Sequence, residues 1–226
     1  MKIIQAKQSP NYSTHPDGKP KEYIKIAVIM HKTVGSFEGA LNWLSTTPED
    51  RLLRHGKKTW SSAHSLDRRN DPGVIHQLMP WQFRAWHAGG VTRRTDRAIK
   101  VIGVRDPNNV TIGHEMTAYY DIDRDGNVEP EEKKATINQL DDFVNLMFHL
   151  EEESKTNPWI DIKADADHLL THADTNHHKP DMEWEYAYVV EQMRKRKNTQ
   201  PNCPLALKDS NLKQTVDHLI NLLNNQ

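Results

Sequence analysis

Apolar and polar positions along the chain predict strands that alternate with helices. Residues 23–31 form a nearly continuous apolar run rich in β-branched side chains, which is typical of a strand buried on both faces, and His31 would lie at its C-terminal end. Residues 61–66 and 74–79 predict two short strands, joined as a hairpin by the turn-forming segment between them. Residues 111–120 predict a further strand.

Two short helices are predicted after the first strand. Ser36 can cap a helix over residues 37–44, because its hydroxyl can accept a hydrogen bond from a backbone N–H of the first turn. Thr47 followed by Pro48 is a second cap, with proline at the first helical position, and Gly56 is expected to end that helix.

The second half of the chain is predicted to be richer in helix. A loop-rich stretch at 85–110 comes first, and a long helix is expected over about 129–153, where apolar residues share one face. A short strand at 168–171 and a helix over about 183–196 follow. Apolar residues at helical spacing predict a last helix over about 207–224.

Strands that alternate with helices predict an α/β fold, with a central mixed β-sheet flanked by helices. The length of 226 residues suits a single domain spanning 1–226. Its core is expected over about 22–197, with the C-terminal helix at about 207–224 docked on it.

The amino-acid composition argues against a nucleic-acid or membrane partner and favours histidine-based chemistry. The 30 Lys and Arg residues balance 31 Asp and Glu residues, so no global field favours nucleic acid or an anionic membrane. The chain has 13 histidines and one cysteine, Cys203, which points to imidazole or metal chemistry rather than to disulfides. The N-terminus lacks the apolar core of a signal peptide, so we expect cytoplasmic synthesis and no membrane anchor. The sequence leaves the oligomeric state open, with a monomer favoured.

Two histidines at predicted strand ends are candidates for a metal site. His31 and His172, together with one carboxylate, would give the ligand set of a catalytic zinc site that keeps a position open for water. A histidine at a strand end is more often an ordinary polar loop residue, so spacing alone does not decide between the two interpretations.

Four motifs in order resemble the zinc-dependent N-acetylmuramoyl-L-alanine amidases, a family that includes phage endolysins, bacterial recycling amidases and peptidoglycan recognition proteins. The motifs are IAVIMHKTVGSFEGALNWL, SSAHSLDRRNDPGVIHQLMPWQFRAWHAGG, NNVTIGHE and LLTHADTNHHKPD. The resemblance covers roughly residues 24–185. It implies an amidase-like fold, a bound zinc ion and hydrolysis of the amide between N-acetylmuramic acid and L-alanine in peptidoglycan or a muropeptide.

The resemblance also implies which residues bind the zinc. His31 matches the family's first ligand, His172 the second, and Asp181 the third. The loop between the second and third ligands is one residue shorter than is usual in the family, so His177 or His178 is the alternative third ligand.

Catalytic roles follow from the resemblance in the same way. Strand alternation sends His114 and Glu115 to opposite faces, and the resemblance identifies Glu115 as the group that moves the proton. Lys179 matches the residue that faces the developing oxyanion. Without the resemblance, both would be interpreted as solvated surface residues.

A tryptophan-containing loop resembles the family's substrate-binding loop beside the metal. An aromatic face can stack on a sugar, and the histidine of the loop can hydrogen-bond the peptide. The alternative is a core tryptophan followed by a partly exposed histidine, and His64 on the hairpin is expected to be structural. The loop consists of Trp86, His87, Ala88 and Gly89.

An acidic segment at 121–132, hereafter the calcium-loop motif, fits the pattern of a calcium-binding loop. The alternative is an acidic turn that favours the N-terminus of the next helix. The predicted calcium ligands are Asp121, Asp123, Asp125, Asn127 through its carbonyl, and Glu132.

Taken together, these patterns predict a zinc amidase, and a phage-type endolysin that acts on the cell wall after release is the preferred form. A cytoplasmic recycling amidase would carry the same site residues. A peptidoglycan-binding module without catalysis, and a calcium-regulated interaction protein, are the alternatives from other classes.

Overall fold

The described strands form one mixed sheet in the order β1-β4-β3-β5-β2-β6. The computed structural model describes residues 1–56, 58–119, 134–179 and 182–199. The strands are β1 (Lys2–Gln5), β2 (Ala27–Val34), β3 (Ser65–Asp67), β4 (Val74–Gln77), β5 (Thr111–Tyr119) and β6 (Leu169–Thr171).

Helices cover both faces of this sheet, which confirms the predicted α/β fold with a central mixed sheet. None of the described helices has the length and apolar character that crossing a membrane requires. The helices are α1 (Phe37–Leu44), α2 (Pro48–His55), α3 (Asp96–Ile102), α4 (Pro107–Val110), α5 (Ile137–Glu153) and α6 (Glu183–Thr199).

Local capping signals place α1 and α2 as predicted. The Ser36 side chain accepts a hydrogen bond from the Gly39 N–H and begins α1. The Thr47 side chain does the same for the Asp50 N–H at the start of α2, and Gly56 ends α2 in the left-handed conformation with φ 67°.

The central strands are parallel, and their register fixes which residues are neighbours. β2 lies between β5 and β6, with Ile29 opposite Gly113 and His31 opposite Glu115. On its other side, Met30 of β2 pairs with Thr171 of β6. β3 and β4 are antiparallel, which confirms the predicted hairpin.

Residues of β2 alternate between two apolar cores. Val28 and Met30 pack with the buried side chains of α5, including Phe143. Ala27 and Ile29 face the opposite side and pack with α3. A strand buried on both faces was the prediction for this segment, and the sandwich of helix, sheet and helix explains it.

Several predicted boundaries were wrong, including those of the strand expected at 61–66, which is only Ser65–Asp67. β2 begins at Ala27, because the preceding backbone bonds to loop residues instead, Tyr23 to Gln82 and Lys25 to Trp159, and it continues past His31 to Val34. The helix expected from about 129 begins only at Ile137 within the described residues.

The start of α5 is set by a capping box. The Thr136 side chain accepts from the Gln139 N–H, and the Gln139 side chain accepts from the Thr136 N–H. The stretch 85–110 is not wholly loop either, since it contains α3 and α4. The predicted helix at 207–224 lies outside the described residues.

Candidate functional site

His31 and His172 lie side by side at one edge of the sheet. Met30 of β2 pairs with Thr171, the last residue of β6. The residues that follow these two, His31 and His172, are therefore neighbours. The two Nδ1 atoms are 2.7 Å apart, and the ring centroids are separated by 4.3 Å. The fold therefore brings together the two histidines that the sequence singled out.

Both imidazoles are buried and neutral at physiological pH. Burial lowers the pKa of His31 well below its usual value, and the nearby His172, His87 and Lys179 act in the same direction. Burial also lowers the pKa of His172 to about 4, against the hydrogen bond to the Ala88 carbonyl that raises it. The neutral ring is the form that binds a metal ion.

The geometry of this pair fits a zinc ion. His172 Nε2 lies 3.0 Å from the Ala88 carbonyl oxygen and donates to it, which leaves a lone pair on the Nδ1 atom that faces His31. A metal-binding histidine typically donates its other ring N–H in this way. Two imidazole nitrogens directed at each other are the start of a zinc ligand set.

The third ligand cannot be placed from the described residues, because Asp181 lies outside them. Among those residues, no group of three His, Cys, Asp or Glu side chains is arranged to hold a metal. His177 is exposed, and its Nδ1 lies 3.0 Å from the hydroxyl of Thr92, which belongs to the loop before α3. This contact fixes the position of the His177 ring. His178 is also exposed, but it lines the same cleft as His31.

Glu115 lies beside the histidine pair, on the strand next to β2. Its Oε1 is 4.0 Å from His31 Nδ1, and its side chain is 14% exposed. Burial raises the pKa of Glu115 to about 7, Lys179 acts to lower it, and Asp67 acts to raise it. A carboxyl that titrates near neutral pH can both accept and return a proton.

His114 points to the other face of the sheet, as strand alternation predicts. It is fully buried, its Nδ1 is 2.9 Å from the Ser65 hydroxyl, and its Nε2 is 3.4 Å from an Asp67 carboxylate oxygen. His114 is thus part of the core and Glu115 part of the site.

The histidine pair and Glu115 open onto a cleft of about 600 Å³. Lys179 and His178 line it on one side, and Trp43 of α1 lines it on another. Lys179 is exposed, which differs from the water-poor setting expected for an oxyanion-binding residue.

The loop at 86–89 lies partly in the core and partly beside the cleft, which His87 lines, and contact with substrate stays a prediction. His87 and Ala88 are buried, and His87 Nδ1 lies 3.0 Å from His31 Nε2. Trp86 is half-buried and Gly89 is exposed. The Trp86 ring packs under the Arg84 guanidinium at 3.7 Å and lies 6.0 Å from the ring of the half-exposed Trp60.

Two residues that the sequence did not single out hold the site in place. Asp174 accepts hydrogen bonds from the Thr171 N–H and hydroxyl and from the Thr95 hydroxyl, which fixes the turn that carries His172. Asn108 accepts from the His87 and Ala88 N–H groups and fixes the neighbouring loop. A capping-box pattern of Thr171 and Asp174 was the available signal for the first.

Residues 22–184 match the Amidase_2 family model, described as N-acetylmuramoyl-L-alanine amidase. The chain belongs to this amidase family. It is therefore an enzyme of the class that hydrolyses the amide between N-acetylmuramic acid and L-alanine in peptidoglycan. The family is typically zinc-dependent, in agreement with the paired histidines of this amidase.

Solved amidase structures resemble this amidase at low sequence identity. N-acetylmuramoyl-L-alanine amidase LysC from Clostridium intestinale URNW is 17% identical, covers 86% of this chain and 98% of its own, and gives a TM-score of 0.49. AmiD from E. coli, solved with anhydro-N-acetylmuramic acid-L-Ala-D-gamma-Glu-L-Lys, is 21% identical over 78% of this chain and 60% of its own, with a TM-score of 0.46. A search of curated proteins found no match.

The calcium-loop motif of the amidase lies outside the described residues, and calcium binding stays a prediction. His64 is fully buried, and its ring bonds only to main-chain groups among the described contacts, with Nε2 at 2.8 Å from the Phe83 carbonyl oxygen and Nδ1 accepting from the Gly113 N–H. This agrees with the structural role expected for it.

Proposed function

We propose that this amidase is a phage-type endolysin that uses one zinc ion, held by His31, His172 and Asp181, to cleave intact peptidoglycan. The observation that carries the zinc proposal is the 2.7 Å approach of the two Nδ1 atoms, with Glu115 4.0 Å from one of them. Two neutral imidazoles and a carboxyl group converging in an open cleft suit metal-assisted amide hydrolysis better than they suit binding alone.

A bound zinc ion would supply Lewis-acid polarisation of the scissile amide and would favour a nucleophilic water at neutral pH. In the proposed reaction, Glu115 accepts a proton from the attacking water as oxygen adds to the carbonyl carbon of the muramic acid lactyl group. Glu115 then returns that proton to the L-alanine nitrogen as the carbon–nitrogen bond breaks. Its pKa of about 7 matches both tasks.

Lys179 is proposed to stabilise the negative charge that develops on the carbonyl oxygen. It is exposed at the edge of the cleft, yet its charge is close enough to influence the pKa of both Glu115 and His172. A substrate that fills the cleft would remove water from around Lys179, and the interaction would become stronger as the local dielectric falls.

The glycan is proposed to lie against the indole rings next to the cleft. Trp60 is half-exposed and immediately precedes Ser61, which lines the cleft, and its ring lies near that of Trp86. Aromatic faces of this kind suit the apolar faces of sugar rings. Gly89, which adopts a positive φ of 63°, would complete the proposed substrate loop.

Intact peptidoglycan is the proposed substrate because exposed side chains, His178 and Lys179, border the cleft, so that a polymer could extend beyond it. The proposed place of action is the cell wall, reached after release from the cell in which the amidase is made. A monomer is proposed, with no nucleic acid partner.

The decisive experiment is digestion of purified peptidoglycan by the zinc-loaded protein, with the products identified by mass spectrometry. The expected products are free muramyl glycan and peptides that begin with L-alanine. Glu115→Gln is expected to lower turnover by about 10²- to 10⁴-fold with zinc content unchanged. Glu152→Gln is the matched control, because Glu152 lies on the exposed face of α5 and bonds to Lys155.

Each other outcome would identify a different function. Cleavage of soluble anhydro-muropeptides without cleavage of intact peptidoglycan would assign the protein to muropeptide recycling. Binding to peptidoglycan without any amide cleavage, in the presence of zinc, would assign it to the non-catalytic modules.

A further inference from the structure

His87 is buried against the proposed zinc ligand His31, at the inner wall of the cleft. Its Nδ1 atom lies 3.0 Å from His31 Nε2, and its Nε2 atom lies 3.2 Å from the Thr111 hydroxyl oxygen. Both ring nitrogens are therefore engaged within the protein. A residue in this position has no ring nitrogen left to offer a peptide.

The space for the His87 ring exists because residue 113 is glycine. A Cβ atom at Gly113 would lie 2.4 Å from His87 Cγ and 2.6 Å from its Nδ1, far inside van der Waals contact. The backbone conformation of Gly113 does not require glycine, since its φ is not positive. The close approach of the ring is therefore the physical reason for glycine on this buried strand.

The hydrogen bonds of His87 determine which of its nitrogens carries the proton. The Thr111 hydroxyl donates its hydrogen to the Pro107 carbonyl oxygen at 2.7 Å, so toward His87 it can only accept. His87 Nε2 must then be the donor, and His87 Nδ1 carries a lone pair. That lone pair can only accept the N–H of His31 Nε2.

The same reasoning fixes the tautomer of the proposed ligand. If His31 carries its proton on Nε2, its Nδ1 atom has a lone pair, and this is the atom that faces His172 at 2.7 Å. Without the acceptor on His87, the His31 ring would be free to protonate Nδ1, the nitrogen that must bind the metal. An outer hydrogen bond that orients a metal-binding histidine is a recurring device.

We propose that His87 is a positioning residue that holds His31 in the Nε2–H tautomer. It does so through the successive hydrogen bonds His31–His87, His87–Thr111 and Thr111–Pro107, hereafter the relay. The His87 ring occupies the space that a side chain at residue 113 would fill. The inference rests on the zinc site of the proposed function, but not on the identity of the substrate. It replaces the expectation that His87 hydrogen-bonds the peptide.

Zinc affinity, measured by competition with a chromogenic chelator, tests the relay without any use of catalysis. His87→Phe keeps a ring but removes both hydrogen bonds, and its zinc affinity is expected to fall by about 10- to 100-fold. His87→Asn keeps an acceptor near the position of Nδ1 and is expected to recover part of that loss. A purely structural role for His87 would not predict this order.

Thr111→Val tests the relay one bond further from His31, and Thr117→Val is its matched control. Both are buried threonines on β5 whose hydroxyls donate to a main-chain carbonyl, but only Thr111 contacts His87. Zinc affinity is expected to fall in Thr111→Val and to stay at the parent value in Thr117→Val. Equal zinc affinities in these two variants would overturn the relay.

Nitrogen NMR of the metal-free His172→Ala variant provides a readout that is independent of zinc, because this variant removes the nitrogen that faces His31 Nδ1 at 2.7 Å. His31 is expected to be protonated at Nε2 in His172→Ala and to become a mixture of tautomers when His87→Phe is added. An Nδ1–H tautomer of His31 in His172→Ala would refute the proposal. Unchanged zinc affinity in a folded His87→Phe, accompanied by a raised KM for peptidoglycan, would instead return His87 to the substrate site.

The proposed function and this inference can fail separately. A parent protein that binds zinc but cleaves no peptidoglycan would refute the amidase mechanism and leave the relay intact.

Gly113→Ala is the alternative variant if His87→Phe does not fold, because the added methyl group displaces the His87 ring by steric contact without removing a polar group. An unchanged His31 tautomer and unchanged zinc affinity in that variant would count against the relay.

Discussion

Lys25 is a buried lysine whose charge should make the stability of this protein depend on pH. The residue is fully buried just before β2, and its Nζ atom donates to the Asn109 carbonyl oxygen at 2.8 Å. Burial lowers the pKa of Lys25 from 10.5 to about 7; Arg84 acts in the same direction, and Asp106 opposes it. The unfolded chain, in contrast, would keep the ordinary value.

The magnitude follows from the size of that fall in pKa. A decrease from 10.5 to about 7 corresponds to about 5 kcal/mol, since each tenfold change in an equilibrium constant is about 1.4 kcal/mol. Between these two pH values the unfolded chain binds a proton that the folded protein does not. The free energy of unfolding should therefore rise with pH in this window, by about 1.4 kcal/mol per pH unit from Lys25.

Urea denaturation of the parent and of Lys25→Met, at several pH values between about 7 and 10.5, measures this effect. All samples should contain the same chelator, so that zinc binding does not contribute. The parent is expected to gain stability relative to Lys25→Met as pH rises. Lys163→Met, which changes an exposed lysine, is the matched control and should give a difference that does not vary with pH. A constant difference for Lys25→Met would refute the reasoning.

Three further predictions concern the ion pair under the cleft and the two metals. Glu185→Ala should lower the free energy of unfolding by about 3–5 kcal/mol in urea titrations, because Glu185 lies 2.9 Å from the buried Lys32 ammonium. Removing the charge of Lys32 as well, by Lys32→Met, should recover much of that loss. Asp181→Ala should lose bound zinc in metal analysis and His178→Ala should keep it; the reverse result would move the third ligand. Calcium should raise the melting temperature of the parent but not of Asp123→Ala, and no shift in the parent would argue against the calcium-loop motif.

Elements with a local start and stop signal could be predicted from the sequence. Ser36 and Thr47 accept the N–H groups that they were expected to accept, and Gly56 ends α2. These signals work because a capping bond joins residues only two or three positions apart. The alternation of His114 and Glu115 was equally secure, since neighbouring side chains of any strand point to opposite faces.

Short helices inside a long connection were not predicted, although their caps are present in the sequence. Thr95 accepts from the Ala98 N–H at the start of α3, and Asp106 precedes a proline at the start of α4. These helices have seven and four residues, so the apolar periodicity has too few turns to stand out from the surrounding loop. Capping residues were the better signal in this part of the chain.

The burial of His87 could not have been predicted from local patterns. It depends on the contact between the His87 ring and Gly113, which lie far apart in the sequence and meet only because β5 passes beneath the loop. The motif around His87 predicted a loop beside the metal site, and His87 contacts the proposed ligand His31. It did not indicate that both ring nitrogens of His87 would be engaged within the protein, and that engagement separates a positioning role from a hydrogen bond to substrate.

Strand β5 carries two polar groups of contrasting chemistry, and their exposure decides which can act on a substrate. On the core face, Ser65, His114 and Asp67 are linked as in a hydrolase triad, with distances of 2.9 and 3.4 Å, yet all three are at most 1% exposed. A nucleophile that no substrate can reach does not catalyse, so this network serves to join β3 to β5. Asp67 also helps to raise the pKa of Glu115 on the opposite face. The buried carboxylate thus contributes to the reactivity of the accessible one through its charge alone.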